Sequence, residues 1–190
     1  RLRVYGSSLE LKENALKVEG AEVDIILNPL NLINYKKLNY DRLLINGGST
    51  NIKINNVNEL LNYIKNNKKK INFKKNNIII LQKNKKLFEI ENSHIKFSPK
   101  KNIQQLKING SLLNYKVIFS LKNQSENKVN INLKIPELDI STNISLDIKN
   151  TFGIHEGSVN LVVLNNFFQF NFVKEKKFMI NKGFIRNNLI

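Results

Sequence analysis

Between Lys128 and Phe172, apolar and polar residues alternate almost one for one, and this period of two restricts the fold more than any other feature of the chain. Val129 and Ile131, for example, lie on either side of Asn130. Successive side chains of a β-strand point to opposite faces, so the pattern predicts strands with one apolar face and one polar face. A sheet built from such strands cannot leave its apolar face bare in water.

The predicted apolar face continues across the turns of this stretch. We expect it to be lined by Val129, Ile131, Leu133, Ile135, Leu138, Ile140, Ile144, Leu146, Ile148, Val159, Leu161, Val163, Phe168, Phe170 and Phe172. A face that binds an apolar ligand and a face that packs into a closed core both require this alternation. The pattern therefore leaves an open groove and a filled core as alternatives.

Residues 1–55 are predicted to form the N-terminal strands. Asn28 and Pro29 end one strand and favour a short helical turn that reaches Ile33, because Pro lacks a backbone N–H for the sheet and suits the first turn of a helix. Further along, Asn46-Gly47-Gly48 separates a strand near 38–45 from a strand that contains Ile52 and Ile54. This arrangement predicts a β-hairpin.

One segment changes from a period of two to the spacing of an α-helix. Its apolar residues fall at i, i+3, i+4 and i+7, and they are Val57, Leu60, Leu61 and Ile64. Asn56 and Glu59 match a capping box at its start. We therefore predict one amphipathic helix near residues 56–66, followed by a basic surface loop.

Residues 71–190 are predicted to form a β-meander. Short strands are expected at 71–75, 78–81, 87–90 and 95–97, separated by turns rich in Asn and Lys. Taken with the N-terminal strands and the helix, the pattern predicts a mainly β domain of the α+β class. Its main element is a long, twisted, antiparallel-rich sheet that forms a groove or partial trough.

The 190-residue chain has a formal net charge of +16, which is typical of proteins that bind polyanions. Its heavy use of Lys, Asn and Ile is also what an AT-rich coding sequence produces without selection for such a partner. The basic run from Lys65 to Lys75 includes Phe73 but matches no nucleic-acid-binding signature. It indicates either a solvated loop or contact with anionic lipid headgroups. The lysines assigned to such contact are Lys68, Lys69, Lys70, Lys74 and Lys75.

The sequence contains no constellation of residues that indicates catalysis or metal binding. It has no Cys, and His94 and His155 are too far apart in sequence to form a two-ligand motif. Glu89 and Glu91 share a strand face, where simple alternation explains them. Gly47-Gly48 lacks the Lys and the helix start of a phosphate-binding loop. We therefore expect a non-enzymatic protein with no catalytic residue, no cofactor and no metal.

The order of the segments carries a family resemblance. LKVEGAEVDIILNPLNLINYKKLNYDRLLINGGSTNIKI reads as a strand, a short leucine-rich connector, a strand, and a strand with a loose turn. NVNELLNYI follows as a helix, and FEIENSHIKFSPKKNIQQLKINGSLLNYKVIFSLKN as strands with Gly110 before a long alternating strand. In this order the chain resembles the AsmA-like family of bacterial envelope proteins, relatives of the TamB-type and bridge-like lipid-transfer proteins.

The resemblance implies a trough with an apolar lining, located in the periplasm and anchored to the inner membrane of a Gram-negative-type cell. It implies that the protein binds or channels phospholipid between membranes or contributes to outer-membrane assembly. The apolar face would then line a lipid groove. We expect residues 1–190 to be one segment of a longer chain, with the anchor and any envelope partners outside it. The alternatives are a structural β scaffold without lipid and a basic nucleic-acid-binding module.

Overall fold

In this computed structural model the described residues form one mixed sheet of thirteen strands. The residues that the structure describes are 1–10, 16–27, 40–53, 68–99, 104–123, 125, 127–148, 155–174 and 178–187. The strands are β1 (Leu2–Glu10), β2 (Leu16–Leu27), β3 (Tyr40–Asn46), β4 (Ser49–Lys53), β5 (Lys70–Gln82), β6 (Lys85–Pro99), β7 (Gln104–Leu112), β8 (Tyr115–Asn123), β9 (Lys128–Ile135), β10 (Ile140–Ile148), β11 (His155–Val163), β12 (Asn166–Lys174) and β13 (Phe178–Asn187).

The sheet follows the sequence from β5 to β13, and each of these strands pairs antiparallel with the next. A mainly β chain with a long, antiparallel-rich sheet is therefore confirmed. A 3₁₀ turn at Pro136–Leu138 joins β9 to β10. The helix predicted near 56–66 and the helical turn predicted at 28–33 lie outside the described residues.

The hairpin predicted around Asn46-Gly47-Gly48 is wrong. Strands β3 and β4 do not pair with each other; they lie end to end between β2 and β5, antiparallel to β2 and parallel to β5. Gly47 and Gly48 have φ of +70° and +72°, so the glycines interrupt one line of pairing instead of reversing the chain. Gly47 N donates to the Lys74 carbonyl, and Asn77 N donates to the Gly48 carbonyl. These backbone hydrogen bonds connect the glycines between β3 and β4 to β5.

A row of β-bulges crosses the N-terminal half of the sheet beside these glycines. Gly6 in β1, Gly20 in β2, Lys75 in β5 and Asn92 in β6 all have positive φ, and each lies at a shift in strand register. Each bulge adds one residue to its strand, and this changes which of the following side chains point to the core face. Bulges also bend and twist a strand. The segments predicted as separate strands at 71–75 and 78–81 are therefore one bulged strand, as are those at 87–90 and 95–97.

Polar side chains replace the sheet hydrogen bonds that the bulges remove. Asn76 Nδ2 donates to the Gly47 carbonyl at 3.0 Å, and Ser93 Oγ donates to the Asn76 carbonyl at 2.6 Å. The backbone N–H of Asn92 donates to Asn77 Oδ1 at 3.1 Å. Asn76 and Ser93 are completely buried, so their two bonds supply partners to backbone groups in the interior of the sheet.

A closed apolar core lies on one face of strands β2 to β6. Its buried members are Val18, Ala21, Val23, Ile45, Ile71, Phe73, Ile78, Ile90, Ile95 and Phe97. Because the bulges keep these residues on one face, the core extends along both halves of each bulged strand. Burial of this apolar surface is the main term that stabilises this half of the sheet.

Strand β1 is fastened to β2 by ion pairs as well as by backbone pairing. Arg3 Nε lies 2.8 Å from Asp24 Oδ1 and 2.8 Å from Glu22 Oε1, and Arg1 also pairs with Asp24. Hydrogen bonds from Arg1 and Arg3 hold the pKa of the Asp24 carboxyl well below its usual range. The same Asp24 bond is the main cause that raises the pKa of Arg3.

Candidate functional site

The apolar face of the core continues without interruption into the C-terminal strands. Directly paired residues form rows that run across the sheet, perpendicular to the strands. One row, in strand order from β2 to β13 without β4, is Val23, Ile45, Phe73, Ile95, Ile108, Phe119, Leu133, Thr142, Leu161, Phe168 and Ile185. A second row from β8 to β12 is Leu121, Ile131, Ile144, Val159 and Phe170. We call this side of β8–β13 the C-terminal apolar face.

The pairing brings the residues predicted from alternation onto this one face, with one exception. Leu138 lies in the 3₁₀ turn between β9 and β10. Ile148 occupies the matching position in the backbone register, opposite His155. The prediction missed apolar residues of β7, β8 and β13 that belong to the same rows, namely Ile108, Phe119, Leu121 and Ile185. The same alternation in 104–121 could have identified most of them.

Burial decreases along the first row from the core to the far edge. Val23 is 2% exposed, the apolar residues from Ile108 to Phe168 are half-buried, and Ile185 is 72% exposed. In the second row Leu121 and Val159 are buried while Ile131 and Ile144 are half-buried. The C-terminal apolar face thus combines buried side chains, which include Val117 and Phe172, with side chains that are partly open to solvent.

Two glycines on this face lie under phenylalanine side chains. Gly157 pairs with Phe172, and a Cβ at Gly157 would meet Phe172 Cζ at 2.7 Å and the Ser145 carbonyl oxygen at 2.6 Å. Gly183 pairs with Phe170, whose Cβ would lie 3.2 Å from a Cβ at Gly183. The aromatic side chains therefore fill positions where the neighbouring strand has no side chain, which keeps the face apolar there.

The opposite face of the same strands carries more polar side chains, although Val162, Phe167 and Phe184 also lie on it. Asn132, Asn143, Asn160 and Gln169 are paired in one row across β9 to β12. In the next row Ser145 Oγ lies 3.2 Å from Asn130 Oδ1. An open depression of about 320 Å³ is lined by Lys128, Ser145, Leu146, Asp147, Glu156, Gly157, Ser158 and Asn171. Polar side chains make up most of its lining, so it is not a pocket for an apolar ligand.

The lysines predicted to contact headgroups lie at a different place in the sheet. Lys70 and Lys74 alternate with the buried Ile71 and Phe73, so they project from the polar face of β5. Lys75 is the bulge residue of that strand. Lys68 is exposed, and the Lys69 ammonium lies 5.6 Å from the centre of the Tyr40 ring. The structure does not bring these lysines to the C-terminal apolar face.

Within the described ranges, no group of three His, Cys, Asp or Glu side chains is placed to hold a metal ion. No helix among the residues that the structure describes is long and apolar enough to cross a membrane. Comparison with family models, curated proteins and solved structures gives no significant match.

Proposed function

We propose that the protein binds phospholipid along the C-terminal apolar face, as a non-enzymatic component of a cell envelope that holds or channels lipid. One observation carries this role: apolar side chains on one face of the sheet extend from the sealed core to side chains that are only partly buried on β8–β13. A surface of this composition and extent is normally covered in a soluble protein. Acyl chains are flexible apolar groups that can cover it.

The rows suit extended hydrocarbon chains for a simple geometric reason. Strands lie about 4.8 Å apart, so the second row presents an apolar side chain at each such step across β8 to β12. Each methylene buried there contributes about 0.8 kcal/mol. Contacts of this kind discriminate poorly between acyl chains, so we propose a broad phospholipid specificity and a twisted, trough-like sheet around the lipid. Headgroup contact by Lys68, Lys69, Lys70, Lys74 and Lys75 stays a prediction, as does periplasmic location with an inner-membrane anchor.

Ile144→Asp tests this role directly. Ile144 lies in the middle of the second row between Ile131 and Val159 and is half-buried, so a carboxylate there can reach water while it repels acyl chains. Phospholipid that co-purifies with the protein is extracted and measured by mass spectrometry. We expect Ile144→Asp to lower the lipid content at least tenfold. Circular dichroism verifies that the variant keeps its β content.

Asn143→Asp is the matched control, since Asn143 is the adjacent residue on the polar face and is exposed. It introduces the same charge on the same strand and should keep the lipid content of the unsubstituted protein. Absence of lipid from the unsubstituted protein, or equal lipid in a folded Ile144→Asp variant, contradicts the proposed role.

A structural β scaffold without lipid is the second candidate, and the two sheet edges favour it. Tyr5 on β1 and Ile185 on β13 are strongly exposed, and edge strands offer unpaired backbone groups to another chain. This role predicts stable assemblies free of phospholipid. Light scattering combined with the lipid measurement therefore separates the two candidates.

A further inference from the structure

Two exposed leucines lie at the tips of hairpins on the same end of the sheet. Leu113 begins the turn between β7 and β8 and is 81% exposed; Leu164 begins the turn between β11 and β12 and is 66% exposed. Strands alternate in direction, so these turns, the 3₁₀ turn at Pro136–Leu138 and the β5–β6 turn all close at one end. We call this end the hairpin rim.

The backbone at these tips is unfavourable for leucine. Leu113 and Leu164 have φ of +51° and +48°, and each is followed by an Asn that also has positive φ. Such two-residue turns favour Asn, Asp or Gly at both positions, because a larger side chain in the left-handed region meets its own backbone. At these positions leucine therefore gains no stability from burial and is not favoured by the backbone conformation.

The exposure of these leucines differs from that of the apolar residues on the edge strands. Leu2 and Ile180 are exposed because they lie on β1 and β13, the edge strands. Leu113 and Leu164 project from tips between paired strands in the interior of the sheet. The described connection at the opposite end, between β8 and β9, instead contains the polar Ser125, whose Oγ accepts from the Lys128 N–H.

Three exposed lysines lie at the rim on the β5–β8 side, and the nearby carboxylates have hydrogen-bond or ion-pair partners. Lys83, Lys85 and Lys116 are exposed next to the hairpin turns. Glu137 Oε1 accepts from the Lys116 backbone N–H at 3.3 Å, and Asp139 Oδ2 accepts from the Asn165 N–H at 3.2 Å. Glu89 pairs with Lys86. Backbone hydrogen bonds leave Glu137 and Asp139 charged, so the positive charge that the rim offers to a partner is concentrated at Lys83 and Lys85 in the β5–β6 turn.

We propose that the hairpin rim docks on an anionic phospholipid bilayer, with Leu113 and Leu164 inserted among the acyl chains and Lys83, Lys85 and Lys116 at the headgroups. Exposed apolar tips on a rim that also carries cations match the layering of a membrane surface, where an apolar interior lies beneath anionic headgroups. This docking surface is separate from the C-terminal apolar face and does not require lipid to lie there.

Vesicle sedimentation of the whole chain tests the docking surface. The probes are vesicles of phosphatidylethanolamine with phosphatidylglycerol and vesicles of phosphatidylcholine alone. The unsubstituted protein should bind the anionic vesicles and bind the neutral ones more weakly, by about fivefold for each lysine that contacts a headgroup. The Leu113→Asn/Leu164→Asn double variant should lose about 100-fold in partition to anionic vesicles, since burying one leucine contributes about tenfold or more.

The double variant is designed to fold, because Asn is favoured at positive φ in these turns. Its thermal midpoint should equal or exceed that of the unsubstituted protein. Leu2→Asn, at the opposite end of the sheet, is the matched control and should leave vesicle binding unchanged. The double variant should keep the co-purified phospholipid content of the unsubstituted protein, which separates failure of docking from failure of lipid retention.

Equal vesicle binding by the double variant and the unsubstituted protein would overturn membrane docking, as would no binding by the unsubstituted protein. A change of oligomeric state in the double variant, without any vesicle binding, would assign the leucines to a protein contact instead.

Discussion

Two isoleucines of one sheet should respond very differently to truncation, because one is sealed and the other is half-open. Ile78 in the closed core is 1% exposed, while Ile144 on the C-terminal apolar face is half-buried. Ile→Ala removes about three carbon groups, each contributing about 0.8 kcal/mol when buried. At Ile78 a cavity adds to this loss, so Ile78→Ala should lower the free energy of unfolding by about 3–4 kcal/mol.

Ile144 is less deeply buried, so somewhat less of that transfer energy is lost, and solvent can enter the space that is left. Ile144→Ala should therefore cost about 2 kcal/mol, clearly less than Ile78→Ala. Urea denaturation of lipid-free protein, followed by far-UV circular dichroism, gives both values, and the slope with urea should stay the same in both variants. Equal losses for the two variants would refute the distinction between a sealed core and an accessible face.

Two further predictions concern the N-terminal half of the sheet. Gly48→Ala should lower the unfolding free energy by about 2 kcal/mol or more, since its Cβ would lie 2.4 Å from the Glu19 carbonyl oxygen at φ +72°. Gly20→Ala, with positive φ but open space around the new Cβ, should cost only about 1 kcal/mol in the same chemical denaturation assay. The two arginine partners of Asp24 lower the pKa of its carboxyl group. The ionised carboxylate therefore stabilises the folded protein fully above the ordinary carboxyl pKa, and this stabilisation is lost as pH falls through the folded-state pKa. Asp24→Asn should have a lower thermal midpoint than the unsubstituted protein at neutral pH. In thermal melts at increasingly acidic pH, its midpoint should fall less. An acid profile that matches that of the unsubstituted protein would contradict this role.

Alternation alone was sufficient to predict the C-terminal strands and the face that they share. From β9 to β12 the strands pair without register shifts, so a period of two in the sequence translates directly into two faces. Hairpin turns also follow the chemistry of their residues, since Asn114 and Asn165 supply the positive φ that the second turn position needs.

The N-terminal half could not be read in the same way, because a bulge and a turn have similar local sequences. Lys74-Lys75 interrupts the alternation of β5 much as a turn would, yet the strand continues on the other side. Gly47-Gly48 likewise favours a reversal, but pairing with both β2 and β5 keeps β3 and β4 in line. Long-range pairing decides these cases, and it is not encoded within the turn itself.

Whether the C-terminal apolar face is accessible to solvent also depends on the whole sheet. Ile95 and Leu133 occupy one row and have the same alternating neighbours, but only Ile95 belongs to the closed core. Their difference depends on what packs over each strand, which a periodic pattern does not specify.

Thiol accessibility measures directly whether the C-terminal apolar face is open to solvent and covered by lipid, and the absence of Cys from the chain makes single-cysteine variants unambiguous. Ile144→Cys, Asn143→Cys and Ile78→Cys are treated with a water-soluble thiol reagent, first lipid-free and then with added phospholipid. The account predicts that the Ile144→Cys thiol reacts when lipid-free and becomes protected by lipid, while the Asn143→Cys thiol reacts equally in both states. A lipid-free Ile144→Cys thiol as unreactive as that of Ile78→Cys, or one that lipid does not protect, would contradict it.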